Sequence, residues 1–171
     1  MLNEKPAQAQ YVTTWDQFHW LPKAKQALRL LKKAGYTVLV VSNQAGIGRG
    51  VMSESDLQHI HSSMKKEAEQ AGGAIDAIYH CPHNWDDGCE CRKPKPGMLF
   101  QAQRDFHIDL TRTYFIGDDQ RDQQAAQVSG CRSRLVTKQE SLYDIICTLL
   151  DKTLQSKLGT SDAETTISHR P

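Results

Sequence analysis

Nowhere does this sequence reach the roughly 20 consecutive apolar residues that a helix needs to cross a bilayer. Its polar start, Met1-Leu2-Asn3-Glu4-Lys5, also lacks the basic, apolar and small-residue order of a secretory signal. Those two absences lead to the expectation of a cytoplasmic protein with no membrane partner. An excess of charge of one sign is missing too: 21 Lys and Arg oppose 20 Asp and Glu, a formal charge of +1. So small an excess supplies no broad field to draw nucleic acid or anionic lipid, although a local cationic pocket is compatible with it. A small phosphorylated molecule suits the chain better than DNA.

Length is also limited, since 171 residues usually bury a single core, and no second full domain is expected. The expected state is a monomer. Cysteines are few and odd in number, five, and three crowd between Cys81 and Cys91. A secreted disulfide scaffold would instead spread pairs along the chain, so metal binding is the better first reading of that cluster.

What is present is an alternation of helical and extended patterns. Ala24, Ala27, Leu28 and Leu31 recur at helical spacing between Pro22 and Gly35, and Tyr36 to Val41 comes next as a nearly all-apolar, β-branched strand covered on both faces. Ser53 reads as the N-cap of a helix striped by Leu57, Ile60, Met64, Ala68 and Ala71, ending near Gly72-Gly73. Strands are expected at 75–79, 113–116 and 134–136, and helices at 98–106, 120–128 and 142–150. This is the pattern of an α/β fold, a parallel sheet with helices on both faces, whose ligands gather beyond the carboxyl ends of the strands.

Three loops should therefore share one site. The first, Ser42 to Gly50, is small and glycine-rich, with a hydroxyl at Ser42 and a guanidinium at Arg49. Such backbone can wrap a phosphate closely, yet a flexible connection is an equal reading of it alone. It is not a nucleotide P-loop, because no Gly-Lys-Ser/Thr ending is present. The second offers Cys81, His83, Cys89 and Cys91, three thiolates and an imidazole that tetrahedral zinc accepts. A redox pair, a disulfide or buried thiols compete with that reading. Four protein ligands would close the site and make it structural. Arg92-Lys93-Pro94-Lys95-Pro96 comes at once after it, a cationic clamp if a bound ion holds it and a solvated basic stretch otherwise. In the third loop, Gly117-Asp118-Asp119-Gln120-Arg121-Asp122, the carboxylates can hold Mg²⁺, while Asp118 or Asp119 could instead cap the next helix. Cys131 and Cys147 read as packed thiols, and the remaining histidines show no spacing that marks a catalytic base.

In this order the motifs resemble the haloacid-dehalogenase (HAD) superfamily: a strand ending in Ser42, a later Lys93, then a strand ending in Gly117-Asp118 with a further Asp. Ser-Asn-Gln with Gly-Ile-Gly-Arg-Gly, and Cys-Pro-His before Cys-Glu-Cys-Arg-Lys-Pro-Lys-Pro-Gly-Met, are similar to the zinc-binding D-glycero-D-manno-heptose 1,7-bisphosphate phosphatases. Histidinol-phosphate phosphatases share much of the pattern. The resemblance covers about Leu2 to Leu150. It implies a Rossmann-like HAD phosphatase domain over 1–150, whereas the polar, aperiodic sequence from Asp151 onward reads by itself as a flexible tail over 151–171. It also implies an Mg²⁺-dependent phosphatase acting on a phosphorylated sugar or similar small phosphomonoester, with structural Zn²⁺. By it, Ser42 hydrogen-bonds the phosphoryl group, Lys93 neutralises its charge, Asn43, Gln44 and Ala45 line the substrate site, and Arg92 recognises the sugar phosphate. Asp118 ligates Mg²⁺, with Asp119 or Asp122 as further candidate ligands; Asp119 stands where relatives often carry Lys.

The family's first strand ends in Asp-x-Asp-Gly, whose first aspartate attacks phosphorus and whose second protonates the leaving group. Met1-Leu2-Asn3 matches only the residues just beyond that motif, and no Asp-x-Asp pair occurs in the sequence. The first strand is accordingly expected to be missing or incomplete. The chain as it stands is expected to lack turnover, either as the truncated part of an active enzyme or as a non-catalytic, zinc-stabilised phosphate-binding pseudo-enzyme. Exposed strand edges should result.

Overall fold

A computed structural model describes residues 2–4 and 11–159. Helix α1 (Ala24–Lys33) buries Ala24, Ala27 and Leu28 and carries Lys32 and Lys33 in its last turn, where cations complement the helix dipole. Gly35 sits just past it at φ 76°, the left-handed conformation that suits glycine after a helix. The Tyr36 N–H then bonds Leu31 O at 3.0 Å, so Tyr36 closes the helix end rather than opening the strand. Strand β1 accordingly covers Leu39–Asn43 and carries Ser42 and Asn43 at its carboxyl end.

A four-residue turn of helix, α2 (Ala45–Gly48), leads to α3 (Glu54–Gln70). Ser53 caps α3 as expected, and Asp56 completes a reciprocal capping box, its carboxylate accepting from the Ser53 N–H at 2.9 Å. Strand β2 (Ala77–Cys81) starts and ends two positions later than its apolar pattern suggested, so the first cysteine of the cluster is the strand's last residue. Next come helix α4 (Gly97–Phe106), strand β3 (Tyr114–Gly117), helix α5 (Gln120–Ser129), strand β4 (Arg132–Leu135) and helix α6 (Leu142–Gly159). α6 runs well beyond Leu150, where apolar periodicity fades. At Thr153 its hydroxyl bonds Leu149 O at 2.9 Å and meets the Tyr36 hydroxyl at 3.4 Å, an anchor on the end of α1. The tail expected over 151–171 is therefore helical through Gly159, and 160–171 lie outside the described residues.

All pairing among the four strands is parallel: β1 with β2, Ser42 opposite His80 and Asn43 opposite Cys81, and β3 with β4. Alternation along the strands sends Val40 and Ile78 toward a core built with Leu28, Met64 and Ile146, from α1, α3 and α6. Leu39, Val41 and Tyr79 pack instead with Met98 and Ala102 of α4. Helices thus cover both faces, as expected of the α/β class.

The sheet is not continuous, because among the described residues no strand joins β1 to β3. A cavity of about 1430 Å³ lies there, lined by every residue of β1 and of β3. For this reason all five β1 residues are half-buried rather than covered on both faces, which corrects the expectation from their apolar run. The small sheet agrees with the expected loss of a first strand.

Candidate active site and metal centre

The carboxyl ends of β1 and β3 meet through Lys93. Its ammonium donates to the Val41 carbonyl at 2.9 Å and pairs with Asp122 Oδ1 at 2.6 Å. Both side chains are nearly buried, 13% and 8% exposed, so each charge depends on the other. Asp122 Oδ2 accepts from the Asp118 N–H at 3.1 Å, which ties the third loop to the same point. Gly117 is required beside it, since a Cβ there would land on the Asp122 side chain. The Lys93 backbone is held independently: Asn43 Nδ2 donates to Lys93 O and Asn43 Oδ1 accepts from Lys93 N, both at 3.0 Å.

Ser42 lies beside this knot, its hydroxyl accepting from Gln44 Nε2 at 3.0 Å, and the Gln44 N–H bonds Cys81 O at 2.7 Å. Ser42, Asn43, Gln44, Lys93, Asp118, Asp119 and Asp122 all line the cavity between the strand pairs. Ala45 and Arg92 do not line it. Ala45 is buried at the start of α2, and the Arg92 guanidinium bonds His83 O at 3.2 Å, on the cysteine loop. The acidic groups have divided their tasks. Asp119 caps α5, accepting from the Arg121 N–H at 2.9 Å, and holds the Arg121 guanidinium with both oxygens. Asp122 braces Lys93, a role its sequence position did not reveal, although placement four residues after Asp118 puts it within reach of the same strand end.

Cys81, His83, Cys89 and Cys91 converge, with their four ligand atoms within 4.8 Å of one another. Cys91 Sγ lies 3.2 Å from both Cys81 Sγ and His83 Nδ1, and Cys81 Sγ lies 3.6 Å from Cys89 Sγ. Burial pushes the Cys81 thiol up and carries Cys91 to about 12, whereas at Cys89 burial is outweighed by hydrogen bonds from the Arg92 backbone and the neighbouring thiols, which pull the thiol down. Three sulfurs and one imidazole nitrogen closing on one point fit a tetrahedral ion of zinc's softness. A disulfide is absent from this group.

Arg49, offered by the sequence as a cation for phosphate, does not line the cavity, and the position of His61 went unread. Arg49 reaches across to the cysteine loop, its Nε bonding Asn84 Oδ1 at 3.2 Å and its guanidinium lying 5.9 Å from the centre of the exposed Trp85 ring. Backbone contact makes this possible: the Gly48 N–H bonds Pro82 O at 2.9 Å, and a Cβ on Gly48 would sit 2.8 Å from that oxygen. In addition, His61 faces the cavity beside His80, whose Nε2 pairs with Glu54 at 2.8 Å. Burial, with His80 adding, pulls His61 down to about 4.

Comparison with known proteins gives a consistent picture. The HAD-hydrolase-like family model matches residues 90–143. The D-glycero-beta-D-manno-heptose-1,7-bisphosphate 7-phosphatase of Pseudomonas aeruginosa is 40% identical over 126 residues, 74% of this chain and 71% of that protein. The protein of the same name from Bordetella bronchiseptica is 42% identical over 126 residues, 74% and 70% of the two chains. Among solved structures, D,D-heptose 1,7-bisphosphate phosphatase from B. bronchiseptica, complexed with magnesium and phosphate, superimposes with a TM-score of 0.82. It is 33% identical, over 88% of this chain and 93% of that one. The phosphatase of the same name from Burkholderia thailandensis gives 0.61 at 27% identity, over 80% and 89%.

Proposed function

Since the chain belongs to the family of D-glycero-beta-D-manno-heptose-1,7-bisphosphate 7-phosphatases within the HAD-type hydrolases, we propose that its site serves hydrolysis of a sugar bisphosphate at the 7-phosphate. The observation that carries this reading is the Lys93 ammonium, nearly buried between Val41 O and Asp122 and beside the Ser42 hydroxyl. An ammonium has three N–H groups, and these two partners take two of them, leaving one for a phosphoryl oxygen. Ser42 donates a second hydrogen bond to the same group. Asn43 sets the Lys93 backbone, Gln44 turns the Ser42 hydroxyl, and Ala45 keeps the loop small beside the substrate. Arg92 addresses the sugar phosphate from the cysteine loop.

Asp118 is the residue for Mg²⁺, which takes one or two carboxylates and completes its shell with water and phosphate oxygens. Asp122 stands next to it, while Asp119 is held by the α5 cap and Arg121. Bound Mg²⁺ would offset charge on the phosphoryl oxygens. Zn²⁺ on Cys81, His83, Cys89 and Cys91 would have a structural part, fixing the turn from which Arg92 projects.

Chemistry of this class needs a carboxylate nucleophile and a second carboxyl group. The first forms a bond to phosphorus as the bond to the sugar oxygen breaks, the second gives that oxygen a proton, and water then cleaves the acyl phosphate to orthophosphate. Neither group has a counterpart in an Asp-x-Asp pair of this sequence. The test is in two arms. Orthophosphate with Mg²⁺ should bind the chain and fail to bind Lys93→Met. With an Asp-x-Asp strand joined ahead of Met1, D-glycero-beta-D-manno-heptose 1,7-bisphosphate should release phosphate faster than histidinol phosphate does. The reverse order would make the chain a histidinol-phosphate phosphatase, and absent turnover with intact phosphate binding would make it a binding module.

A further inference from the structure

We propose that Arg49, Asn84 and Trp85 form a second binding subsite, outside the cavity that Lys93 lines, and that it takes the non-reacting phosphate and the sugar ring of a sugar bisphosphate. The inference deepens the proposed function and rests on it.

Two loops are zipped together to make the subsite. The Gly48 N–H bonds Pro82 O at 2.9 Å and Asn84 Nδ2 donates to Gly48 O at 3.3 Å, so the turn after β1 lies against the turn after β2. A side chain at position 48 would end this contact, because its Cβ would lie 2.8 Å from Pro82 O. Asn84 is itself fixed, its N–H donating to Asp87 Oδ2 at 2.7 Å. Its side-chain oxygen then takes Arg49 Nε at 3.2 Å, and the guanidinium is aimed by a residue of the other loop. A guanidinium carries N–H groups on all three nitrogens, and here only Nε is used. Both terminal nitrogens of Arg49 are without an acceptor among the described residues.

The charges nearby suit an anion. Arg92 bonds His83 O at 3.2 Å and Arg49 bonds Asn84, so consecutive residues, their Cα atoms about 3.8 Å apart, hold the two guanidinium groups. Of the loop's carboxylates, Asp87 accepts from the Asn84 N–H, Glu90 accepts from the Lys95 ammonium at 2.7 Å, and Asp86 pairs with neither guanidinium. The loop therefore leaves this positive charge uncompensated. A planar fork of donors matches two oxygens of one phosphate, which a lysine in the same place would not do. The reacting phosphate is not that ligand, since neither Arg49 nor Trp85 lines the cavity. One small molecule can still bridge the two places. Between Ser42 and Arg49 lie residues 43–48, the last four coiled in α2, which keeps the two Cα atoms within about 18 Å, and the long arginine side chain shortens the span.

Trp85 supplies a surface that an anion site by itself would not need. Its ring is 77% exposed, more than any other large apolar side chain among the described residues, and the Arg49 guanidinium lies 5.9 Å from its centre. The cation steadies the ring at the edge of the paired loops while most of its surface stays open. The C–H groups of a sugar ring pack well on the electron-rich face of an indole. A lone exposed apolar residue needs no explanation, but one pinned beside two open guanidinium groups forms a place for a phosphorylated ring.

The experiment titrates three ligands into the full chain with Mg²⁺ by calorimetry: orthophosphate, D-glycero-beta-D-manno-heptose 1,7-bisphosphate, and the same sugar carrying the 7-phosphate alone. Arg49→Gln should weaken the bisphosphate roughly tenfold or more, the equivalent of one charge-assisted hydrogen bond, and change the other two ligands less than about twofold. Trp85→Ala should weaken both sugar phosphates about threefold and leave orthophosphate unaffected. Acrylamide quenching of Trp85 in the parent chain, a reading that depends on no variant folding, should fall with the bisphosphate and not with orthophosphate. The subsite is overturned if the parent binds the bisphosphate no more tightly than the 7-phosphate, if Arg49→Gln weakens all three ligands equally, or if quenching is unchanged. Absent orthophosphate binding, with bisphosphate affinity still dependent on Arg49, would uphold the subsite and sink the Lys93 reading. Failure of all three ligands to bind the parent would overturn both.

Discussion

Asp122→Asn is the most informative single change, because both carboxylate oxygens act as acceptors. Oδ1 takes the Lys93 ammonium at 2.6 Å and Oδ2 the Asp118 N–H at 3.1 Å. Asparagine has one acceptor and one donor, so either orientation leaves an amide NH₂ facing an N–H. Removing one partner of a buried ion pair typically costs about 3–5 kcal/mol, because the remaining charge stays desolvated. Here one hydrogen bond survives and the Lys93 stem can shift toward water, so about 3 kcal/mol is expected. For a chain of this length each kcal/mol lowers the melting midpoint by roughly 2–4 °C, giving a fall of about 6–12 °C. Differential scanning calorimetry and urea unfolding read the change. The double variant Lys93→Met with Asp122→Leu should recover most of it, since well-packed apolar replacements of a buried pair are commonly neutral or better. A melting midpoint for Asp122→Asn within about 2 °C of the parent, or no recovery in the double variant, would refute a buried, mutually dependent pair.

Purified protein should carry about one equivalent of zinc by elemental analysis, four ligands closing on one ion, with Cys89→Ser lowering both zinc content and melting midpoint. Less than about a tenth of an equivalent in folded protein would count decisively against the assignment. Gly117→Ala, whose methyl would meet the Asp122 side chain, should destabilise by about 1–3 kcal/mol in urea titration. His61 adds a pH dependence. Its folded value near 4 lies below the unfolded 6.5, so the unfolded chain takes up the proton first and stability declines as pH falls from about 6.5 to 4, then levels off. With partial water access the loss is on the order of 1–2 kcal/mol, and His61→Gln should flatten that window selectively. An identical slope in the variant would show that another group titrates there.

Much of this site was legible because its chemistry sits at strand ends, where local signals are strong. Ser42 ends an apolar β-branched run, Gly117 comes directly after Tyr114-Phe115-Ile116, and four metal-type ligands fall within one short loop. Helix α1 could be read from Ala24, Ala27 and Leu28, and α3 from Ser53. The illegible part was long-range or had no period. Nothing near Lys93 in sequence points to Val41 O or to Asp122, partners 52 and 29 positions away, although their contacts decide what Lys93 can do. The apolar run from Tyr36 looked like a strand from its first residue, yet the Leu31 carbonyl claims the Tyr36 N–H for the helix end. β1 looked buried on both sides because its residues are apolar, whereas burial also depends on a neighbour that the described residues do not place beside it.

The anchors of Lys93 and Arg92 explain why the two adjacent cations should not be treated as one clamp. Lys93 is fixed by the sheet: Asn43 holds its backbone, and Val41 O and Asp122 hold its ammonium, none of them on the cysteine loop. Arg92 is placed by His83 O, and His83 is itself one of the four converging ligands. An ion on that loop therefore governs the aim of Arg92 far more than that of Lys93. In the proposed function the sheet would grip the reacting phosphate, and the cysteine loop would address the rest of the substrate. In that division Arg49 belongs with the second group, because its Nε bonds Asn84 and its guanidinium lies over Trp85, both within the same loop.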